Sequence, residues 1–425
     1  MTEHGALTII ADIKSGMQQA LMKELAAIEN SRNDVNGSIP FPLISSIHFS
    51  RFVVLDNRQD TAGNALAAQL VFTTNYDLPE QQHIQQLIHY AGPGLWRVFS
   101  HCVHFPAGPY HAAQLQQYLT LGNITPATFY VGVGRRSVTQ IRKEKLLREE
   151  IERFADVHYH EFKVMPALAV RKKITDHLAT TADYAWALTP EPEATTAWKW
   201  RHYAKLVAGA AGLLVLAIVL LPLLLIWILI IFIDEVTHKP ARNIVTKQHL
   251  RDLTDRETGM VQAQFSAVGN IKPGWFRLKT VQFLLALTNF LAPYLFSKGR
   301  LSGIPTVHFA RWLIINNGRQ MLFLSNYDGN SESYLTDFIN IAAKQLTLLF
   351  SHTINYPQTY LMVFGGAKNA KQFMEWARHH QVVTQVWYTA NKEVTVKNVY
   401  SNALIRKGLS GVFTEKEALQ WLSLI

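Results

Sequence analysis

Two stretches of this chain carry the same three blocks of sequence in the same order. The first copy reads Ser46-Ile-His-Phe-Ser-Arg-Phe52, then Phe72-Thr-Thr-Asn-Tyr-Asp77, then Phe99-Ser-His-Cys-Val-His-Phe-Pro106. The second copy reads Thr306-Val-His-Phe-Ala-Arg-Trp312, then Phe323-Leu-Ser-Asn-Tyr-Asp328, then Phe350-Ser-His-Thr-Ile-Asn-Tyr-Pro357. In both copies the first phenylalanine of the third block lies 22 positions after the aspartate of the second. Blocks repeated in one order indicate an internal duplication, and a duplicated unit largely decides the fold.

Each copy predicts the element order β-α-β-β-α-β, which is that of the ferredoxin-like unit. In the first copy, hydrophobic periodicity predicts strands at 6–13, 47–55, 65–74 and 97–105 and helices at 16–29 and 80–90. In the second copy it predicts strands at 261–271, 307–315, 320–325 and 346–356, one helix from Trp275 and another at 333–343. Asn316-Asn317-Gly318 predicts a tight hairpin between two of these strands.

Outside the repeats, a charged helix is expected at 135–154, a late strand at 382–388 and a helix at 394–406. Tyr130 and Val138-Thr139 echo Tyr388 and Val394-Thr395, which extends the duplication beyond the three blocks.

An apolar segment separates the two copies. Residues 206–233 run for 28 positions without a charged side chain, whereas about 20 apolar residues cross a bilayer. Aromatic and cationic residues precede the run, and Asp234 and Glu235 end it, as at a membrane interface. Pro222 allows a kinked crossing or a re-entrant hairpin. We expect both repeats in the cytoplasm, at a bacterial-type inner membrane. A second apolar stretch, 280–296, is expected to be a domain helix with one lipid-facing side.

Composition bounds the class of protein. The 425 residues have a net charge of +10 and 48% hydrophobic content, which excludes global disorder and suits an anionic membrane surface. The basic residues are scattered, so no nucleic-acid partner is expected. The single cysteine, Cys102, excludes an intrachain disulfide and a Cys-rich zinc site, and its context predicts a buried thiol. Residues 1–14 lack the pattern of a secretory signal.

The element order resembles the dimeric α/β-barrel superfamily, fused here as a tandem over roughly residues 5–110 and 260–360. The resemblance implies two sheets that pack face to face or close into a barrel. Chlorite dismutases and dye-decolorizing peroxidases share that architecture and bind haem, whereas small monooxygenases share it without a metal. The expected fold is therefore α+β, with two ferredoxin-like repeats forming a tandem α/β barrel and a membrane-inserted helix between them.

The expected domains are a first repeat (1–110), a mainly helical extension and linker (111–200), a membrane segment (201–235), a linker (236–258) and a second repeat with a C-terminal extension (259–425).

Polar residues that recur in both copies are the candidate site. The second copy supplies His308, Arg311, Asn326, Tyr327, Asp328 and His352; the first supplies the pseudo-equivalent set His48, Arg51, Asn75, Tyr76, Asp77 and His101. The hairpin should bring His308 near Tyr327 and Asp328. His308 and Arg311 are three apart on a strand, so they should point to opposite faces unless a bulge intervenes.

The resemblance implies a catalytic set of Arg311, Asp328, His308, Tyr327 and Asn326, with His352 and His308 as haem-binding residues and no separate metal site. Asp328-Gly329 resembles the Asp-Gly pair of dye-decolorizing peroxidases, with Ser325 where that family has glycine. The second copy is the expected site because Gly329 permits close backbone approach to a ligand. In the structural alternative, the aspartates cap the following helices and pair with buried arginines.

Two functions remain as hypotheses. The first is a membrane-anchored oxidoreductase of the α/β-barrel type, haem-dependent and peroxidase-like, acting on a small molecule. The alternative is a non-enzymatic membrane-surface protein that binds lipid or a protein partner. Homo-oligomer formation is compatible with either function.

Overall fold

The computed structural model describes residues 3–56, 58–192, 195–237, 239–256, 261–295, 301 and 303–425. The strands in these residues are β1 (His4–Asp12), β2 (Ile47–Leu55), β3 (Gln69–Asp77), β4 (Thr128–Val131), β5 (Gln262–Asn270), β6 (Val307–Ile315), β7 (Gln320–Asp328), β8 (Thr359–Tyr360), β9 (Phe364–Gly365) and β10 (Thr384–Thr389). The helices are α1 (Gln18–Ser31), α2 (Glu80–Ser100), α3 (Ala112–Gly122), α4 (Val138–Val157), α5 (Tyr159–Phe162), α6 (Ala167–Thr180), α7 (Thr196–Val219), α8 (Leu221–Thr237), α9 (Lys247–Thr254), α10 (Trp275–Leu295), α11 (Ser331–Ile341), α12 (Ala343–Phe350), α13 (Ala370–His380), α14 (Val396–Lys407) and α15 (Glu415–Leu422).

The chain is an α+β protein with two four-stranded antiparallel sheets and one two-stranded sheet. The larger sheets have the equivalent orders β1-β3-β2-β10 and β5-β7-β6-β4. We call the first sheet with α1–α3 the first lobe, and the second sheet with α10–α13 the second lobe. In each lobe three strands come from one copy of the repeat and the fourth comes from the other copy.

The fourth strands are exchanged reciprocally. β10 pairs with β2, with Tyr388 opposite Ser50, and β4 pairs with β6, with Tyr130 opposite Ala310. The expected correspondence of Tyr130 and Tyr388 is therefore confirmed. The helices that follow start at equivalent points, so the partner of Val138 is Val396 and not Val394. Since each sheet takes an edge strand from the other copy, neither copy completes its own four-stranded sheet.

The last strand predicted in each copy is wrong. Residues 97–100 end α2, and residues 346–350 lie in α12. Only single bridges, Ile13 with Cys102 and Ile271 with Thr353, remain of the expected pairings. Leu95 and Phe99 are buried four residues apart on α2, and a short apolar run at that spacing does not distinguish a buried helix from a strand.

The sheets pack face to face through a shared apolar layer. Side chains of both lobes meet in it, among them Val53, Val71, Leu313 and Leu322. Helices cover the opposite face of each sheet, where a second apolar cluster forms in each lobe. The central strands are consequently buried on both faces, and every residue of β2 is buried. Cys102 lies in the first of these clusters, fully buried as predicted.

A third apolar cluster joins the segment 111–200 to the C-terminal extension. Leu147 of α4, Ile174 of α6, Ile405 of α14 and Trp421 of α15 belong to it. The expected domain boundaries therefore do not coincide with the packed units. β4 and β10 each join the sheet of the other copy, and helices of the two extensions pack against each other.

Helices α7 and α8 form the apolar segment between the copies. In the described residues, α7 is the one helix long and apolar enough to cross a membrane, and none of its residues is buried. Leu220 separates it from α8, which begins at Leu221-Pro222. Large apolar side chains are exposed on both sides of this junction, for example Val219 (70%) and Leu223 (62%).

Both ends of the α7–α8 segment contact α10. At one end the Tyr294 hydroxyl donates to the His202 carbonyl (3.2 Å). At the other, Arg277 Nε donates to Asp234 Oδ2 (2.6 Å). At 1.5 Å per residue the helical path from 202 to 234 is roughly 48 Å, whereas 277 to 294 along α10 is roughly 26 Å. Trp227 of α8 also donates to Thr280 Oγ1 of α10 (2.7 Å). The segment therefore departs from α10 after the first contact and has returned to it by Trp227. Phe296, Lys298 and Arg300, expected to end and flank the α10 stretch, lie outside the described residues.

Candidate functional site

The repeated His and Asp residues meet at one end of each sheet. His308 Nε2 lies 2.7 Å from Asp328 Oδ1, and the other carboxylate oxygen accepts from the backbone amide of Val396 at 2.8 Å. The first copy repeats this, with His48 Nε2 2.8 Å from Asp77 Oδ1 and the amide of Val138 donating to Oδ2 at 3.0 Å. Each aspartate thus holds the first residue of a remote helix, α14 or α4. The expectation that it caps the next helix in sequence is wrong, because Pro79 and Asn330 occupy those N-caps.

A β-bulge turns both histidines toward the sheet interface. The ladder of β6 with β7 shifts register between Val307 and Phe309, and that of β2 with β3 shifts between Ile47 and Phe49. The inserted residue is His308 or His48, so side-chain alternation moves by one position there. His308 consequently contacts Phe49 of the other lobe, with ring centroids 5.3 Å apart. It therefore shares a sheet face with Arg311 and does not lie opposite to it.

The repeated arginines do not face a ligand pocket. Arg311 is 2% exposed and donates to the Leu7 carbonyl (2.8 Å), Thr8 Oγ1 (2.9 Å) and the Thr74 carbonyl (2.8 Å) of the first lobe. The expectation that Asp328 pairs with it is wrong, because carbonyl and hydroxyl oxygens satisfy the guanidinium. Burial lowers the pKa of Arg311 to about 9, and the pKa of Arg51 is lowered to about 9 by burial and by the Arg311 charge.

The repeated asparagines meet at the centre of the interface. Asn326 Nδ2 donates to Asn75 Oδ1 at 3.1 Å. Asn326 Oδ1 accepts from the indole of Trp387 on the exchanged strand (3.1 Å) and also from Arg51. Asn326 therefore joins both lobes and β10, and it does not line a site with His308.

The repeated tyrosines point to the helix-covered faces. Tyr327 is fully buried and stacks on Tyr334, with centroids 3.8 Å apart. Tyr76 stacks in the same way on His83 at 4.1 Å. Each tyrosine packs in the apolar cluster of its own lobe. It therefore lies on the opposite face of its sheet from the His–Asp pair.

His352 lies at the far end of the second sheet from His308. Gln262, the first residue of β5, contacts His308, whereas Ile271 just beyond the last residue bridges Thr353. The nine residues of β5 lie between these two contacts, so His308 and His352 lie at ends of the strand that are roughly 30 Å apart. His352 is fully buried, and burial, followed by the charges of Arg277 and Lys272, lowers its pKa well below the usual value. His101 occupies the matching place in the first lobe, with Nδ1 2.9 Å from the Arg97 carbonyl.

The described residues around His308 do not fit a haem. The cavity there measures about 30 Å³ and lies between His308 and His48, with Phe49, Phe309 and Gln262 among its walls. Pockets for drug-sized ligands measure about 300–1,000 Å³, whereas this space holds about one or two waters. His352 is too distant to ligate the same group. No step through haem follows from this arrangement.

Sequence reasoning missed His4 and Gln262, which complete the two His–Asp sites. His4 opens β1 opposite Asp77, and its Nε2 lies 3.8 Å from Asp77 Oδ1 and 2.9 Å from the Arg136 carbonyl. Burial, and next the nearby His48, lower the pKa of His4 to about 4. Gln262 opens β5 opposite Asp328. Both residues lie outside the three repeated blocks, and the signal that could have found them was their position at the start of equivalent strands.

Comparison with known proteins gives no relative. No protein-family model matches the chain, and no curated protein and no solved structure matches it.

Proposed function

We propose that this is a membrane-surface protein, held in one leaflet by α7 and α8, with both lobes on the cytoplasmic side and an anionic-lipid site beside the anchor. The observation that carries the proposal is the course of the apolar segment. His202 at one end and Trp227 and Asp234 at the other contact α10, while the part around the α7–α8 junction bends away with apolar side chains exposed. A segment that returns to the helix it left suits a re-entrant anchor better than a single crossing.

The lengths of the two arms support a one-leaflet depth. The apolar parts, 206–219 and 221–233, are roughly 20 Å each at 1.5 Å per residue. The hydrocarbon core is about 30 Å thick, so the uncharged part of each helix exceeds half of it without spanning it, whereas α7 is long enough to cross only with its charged first turns included. The two lobes exchange strands and share a core, which favours one side of the bilayer for both.

The flanking charges support the cytoplasmic side. Lys199, Arg201 and Lys205 precede the apolar run, and Lys239 and Arg242 follow it. Cations on both flanks give no orientation to a single crossing, but for a re-entrant segment they all lie on one side. The bias of Lys and Arg toward cytoplasmic segments then favours that side.

A basic groove at the start of α7 supports lipid binding. The groove measures about 750 Å³, and Arg135, Lys199 and Lys407 are exposed cations on its wall. Arg135 also stacks over Trp198 of α7, with its Cζ 4.7 Å from the ring centroid, which links the groove to the anchor. Glu191, the one acid among the described residues of the groove's lining, is already paired with Arg136 (3.0 Å). Among the described residues of the lining, cations outnumber acids, so a phosphate headgroup would meet positive charge there.

The experiment measures co-flotation of the full-length protein with phosphatidylcholine vesicles, with and without phosphatidylglycerol. The triple variant Arg135→Glu, Lys199→Glu, Lys407→Glu should lose the preference for phosphatidylglycerol, because each cation near an anionic surface contributes about 1 kcal/mol. Lys23, Lys344 and Lys371 are exposed outside the groove, and their triple change to Glu is the control with equal charge. Equal losses in both triple variants would contradict a headgroup site in the groove.

The oxidoreductase hypothesis has less support. Its expected catalytic residues lie in the sheet interface or the lobe cores, and the cavity beside His308 is too small for haem. Surface binding is therefore the function that the geometry favours.

A further inference from the structure

We infer that His4, His48 and Asp77 form a binding site for one divalent transition-metal ion, in the first copy of the repeat. One ring nitrogen of each histidine and a carboxylate oxygen of Asp77 lie within 4.8 Å of one another. His48 Nε2 is 2.8 Å and His4 Nε2 is 3.8 Å from Asp77 Oδ1. Three ligand atoms around a metal at 2.0–2.2 Å are at most about 4.4 Å apart, so small side-chain movements suffice.

The donor set selects the class of metal. Two imidazole nitrogens and one carboxylate oxygen suit zinc and the neighbouring first-row ions. Calcium and magnesium prefer oxygen ligands throughout, so they fit the set poorly. His48 must then present an unprotonated Nε2, with its ring proton on Nδ1. The hydrogen bond between His48 and Asp77 gives way to bonds from both residues to the metal. His4 must likewise present an unprotonated Nε2, so its hydrogen bond to the Arg136 carbonyl (2.9 Å) breaks when the metal binds. A proton at either Nε2 moves to Nδ1 of the same ring or to solvent.

The surroundings hold the ligands in place. The side chains are mostly buried, with exposures of 2% for His4, 4% for His48 and 14% for Asp77. The amide of Val138 donates to Asp77 Oδ2 and leaves Oδ1 facing the histidines. Such outer contacts orient a ligating carboxylate.

Comparison of the two copies distinguishes a metal-binding role of His4 from a structural one. The second copy keeps the His–Asp contact and the bond to the following helix, but Gln262 stands at the position of His4. Gln262 donates to the Val394 carbonyl (2.6 Å) and accepts from Thr389 Oγ1 (2.6 Å). The strand, the bulge and the helix start therefore form without a second histidine. His4 adds a ligand that this local structure does not require.

The test uses Co²⁺ as the probe, with full-length protein in detergent, without a histidine tag and after treatment with chelator. Titration followed by visible absorption should show one tightly bound equivalent. His4→Gln, which copies the second repeat, should weaken Co²⁺ binding by at least about 100-fold, because one of three ligands is lost. Thermal unfolding of this variant in chelator should match the wild type.

The matched control is His308→Gln, the same change at the second-copy counterpart of His48. It should retain one equivalent of Co²⁺, while Asp77→Asn should lose it. No specific uptake by the wild type would overturn the inference. The same is true if His4→Gln binds as the wild type does, or if His308→Gln loses binding equally. The readout is metal stoichiometry, so it does not depend on membrane attachment.

Discussion

Arg51 and Arg311 cross the interface between the two sheets in opposite directions and end on equivalent carbonyl oxygens. Arg51 Nη2 donates to the Ser325 carbonyl and Arg311 Nη2 to the Thr74 carbonyl, each at 2.8 Å. Both side chains are 2% exposed. The repeated arginine is therefore explained by the contact between the lobes, which each copy makes with the other.

Arg311→Ala should lower the free energy of unfolding by about 3–5 kcal/mol, since it removes three hydrogen bonds from a charged donor and leaves buried oxygens unpaired. Urea unfolding of the full-length protein in detergent measures the effect. Arg319→Ala is the control, because Arg319 is 60% exposed and 3.7 Å from Asp60, and it should change stability by less than about 1 kcal/mol. Similar losses in the two variants would contradict the interface role of Arg311.

Acid should destabilise the protein through His83. Burial lowers its pKa from 6.5 to about 3, and Ser46 Oγ and Thr74 Oγ1 each lie 2.8 Å from a ring nitrogen. The unfolded chain takes up the proton near pH 6.5, whereas the folded chain does so only near pH 3. The stabilising contribution is therefore complete above about pH 6.5 and is lost as the pH falls, by an amount on the order of 3–5 kcal/mol.

The measurement is the urea midpoint as a function of pH between neutrality and about pH 4. In His83→Gln the decline with acid should be shallower than in the wild type. His89 is exposed on the same helix, so His89→Gln should leave the slope unchanged. A slope unaltered by His83→Gln would rule out its part in acid sensitivity.

Charges placed at the bend of the apolar segment should release the protein from membranes. Leu216 and Leu223 are 51% and 62% exposed on either side of the junction. Asp at a membrane-inserted position costs about 2.5–3.5 kcal/mol, so Leu216→Asp with Leu223→Asp should shift the protein to the soluble fraction after carbonate washing. Leu121→Asp with Val412→Asp changes two exposed apolar residues elsewhere and should leave the protein in the pellet. Release by both pairs would contradict a specific anchor.

The element types near the repeated blocks were largely predictable, because their strands are long and buried on both faces. The register of the compact hairpin followed from Asn316-Asn317-Gly318, which place His308 beside Asp328 as expected. The bulge at His308 was not predictable, since a single inserted residue leaves no trace in hydrophobic periodicity.

The exchange of β4 and β10 between the two sheets could not be predicted from the local sequence. β4 and β10 have only four and six residues, and nothing in their sequence says which copy they pair with. The matching tyrosines Tyr130 and Tyr388 showed that the strands correspond to each other, but not that each pairs with the sheet of the other copy.

The candidate metal site was missed for a related reason. His4 has glutamine, Gln262, as its counterpart, so a search for residues kept in both copies passes over it.

The sidedness of the two ends of the apolar segment tests the central claim most directly. Cys102 is fully buried and burial raises its thiol pKa to about 12, so it should not react. Single cysteines are introduced by Arg201→Cys and Lys239→Cys, and intact spheroplasts and inverted vesicles are treated with a membrane-impermeant maleimide. A re-entrant anchor with both lobes in the cytoplasm predicts that both cysteines are labelled in inverted vesicles and neither in intact spheroplasts. Labelling of one cysteine from each side would show a single crossing and contradict the account.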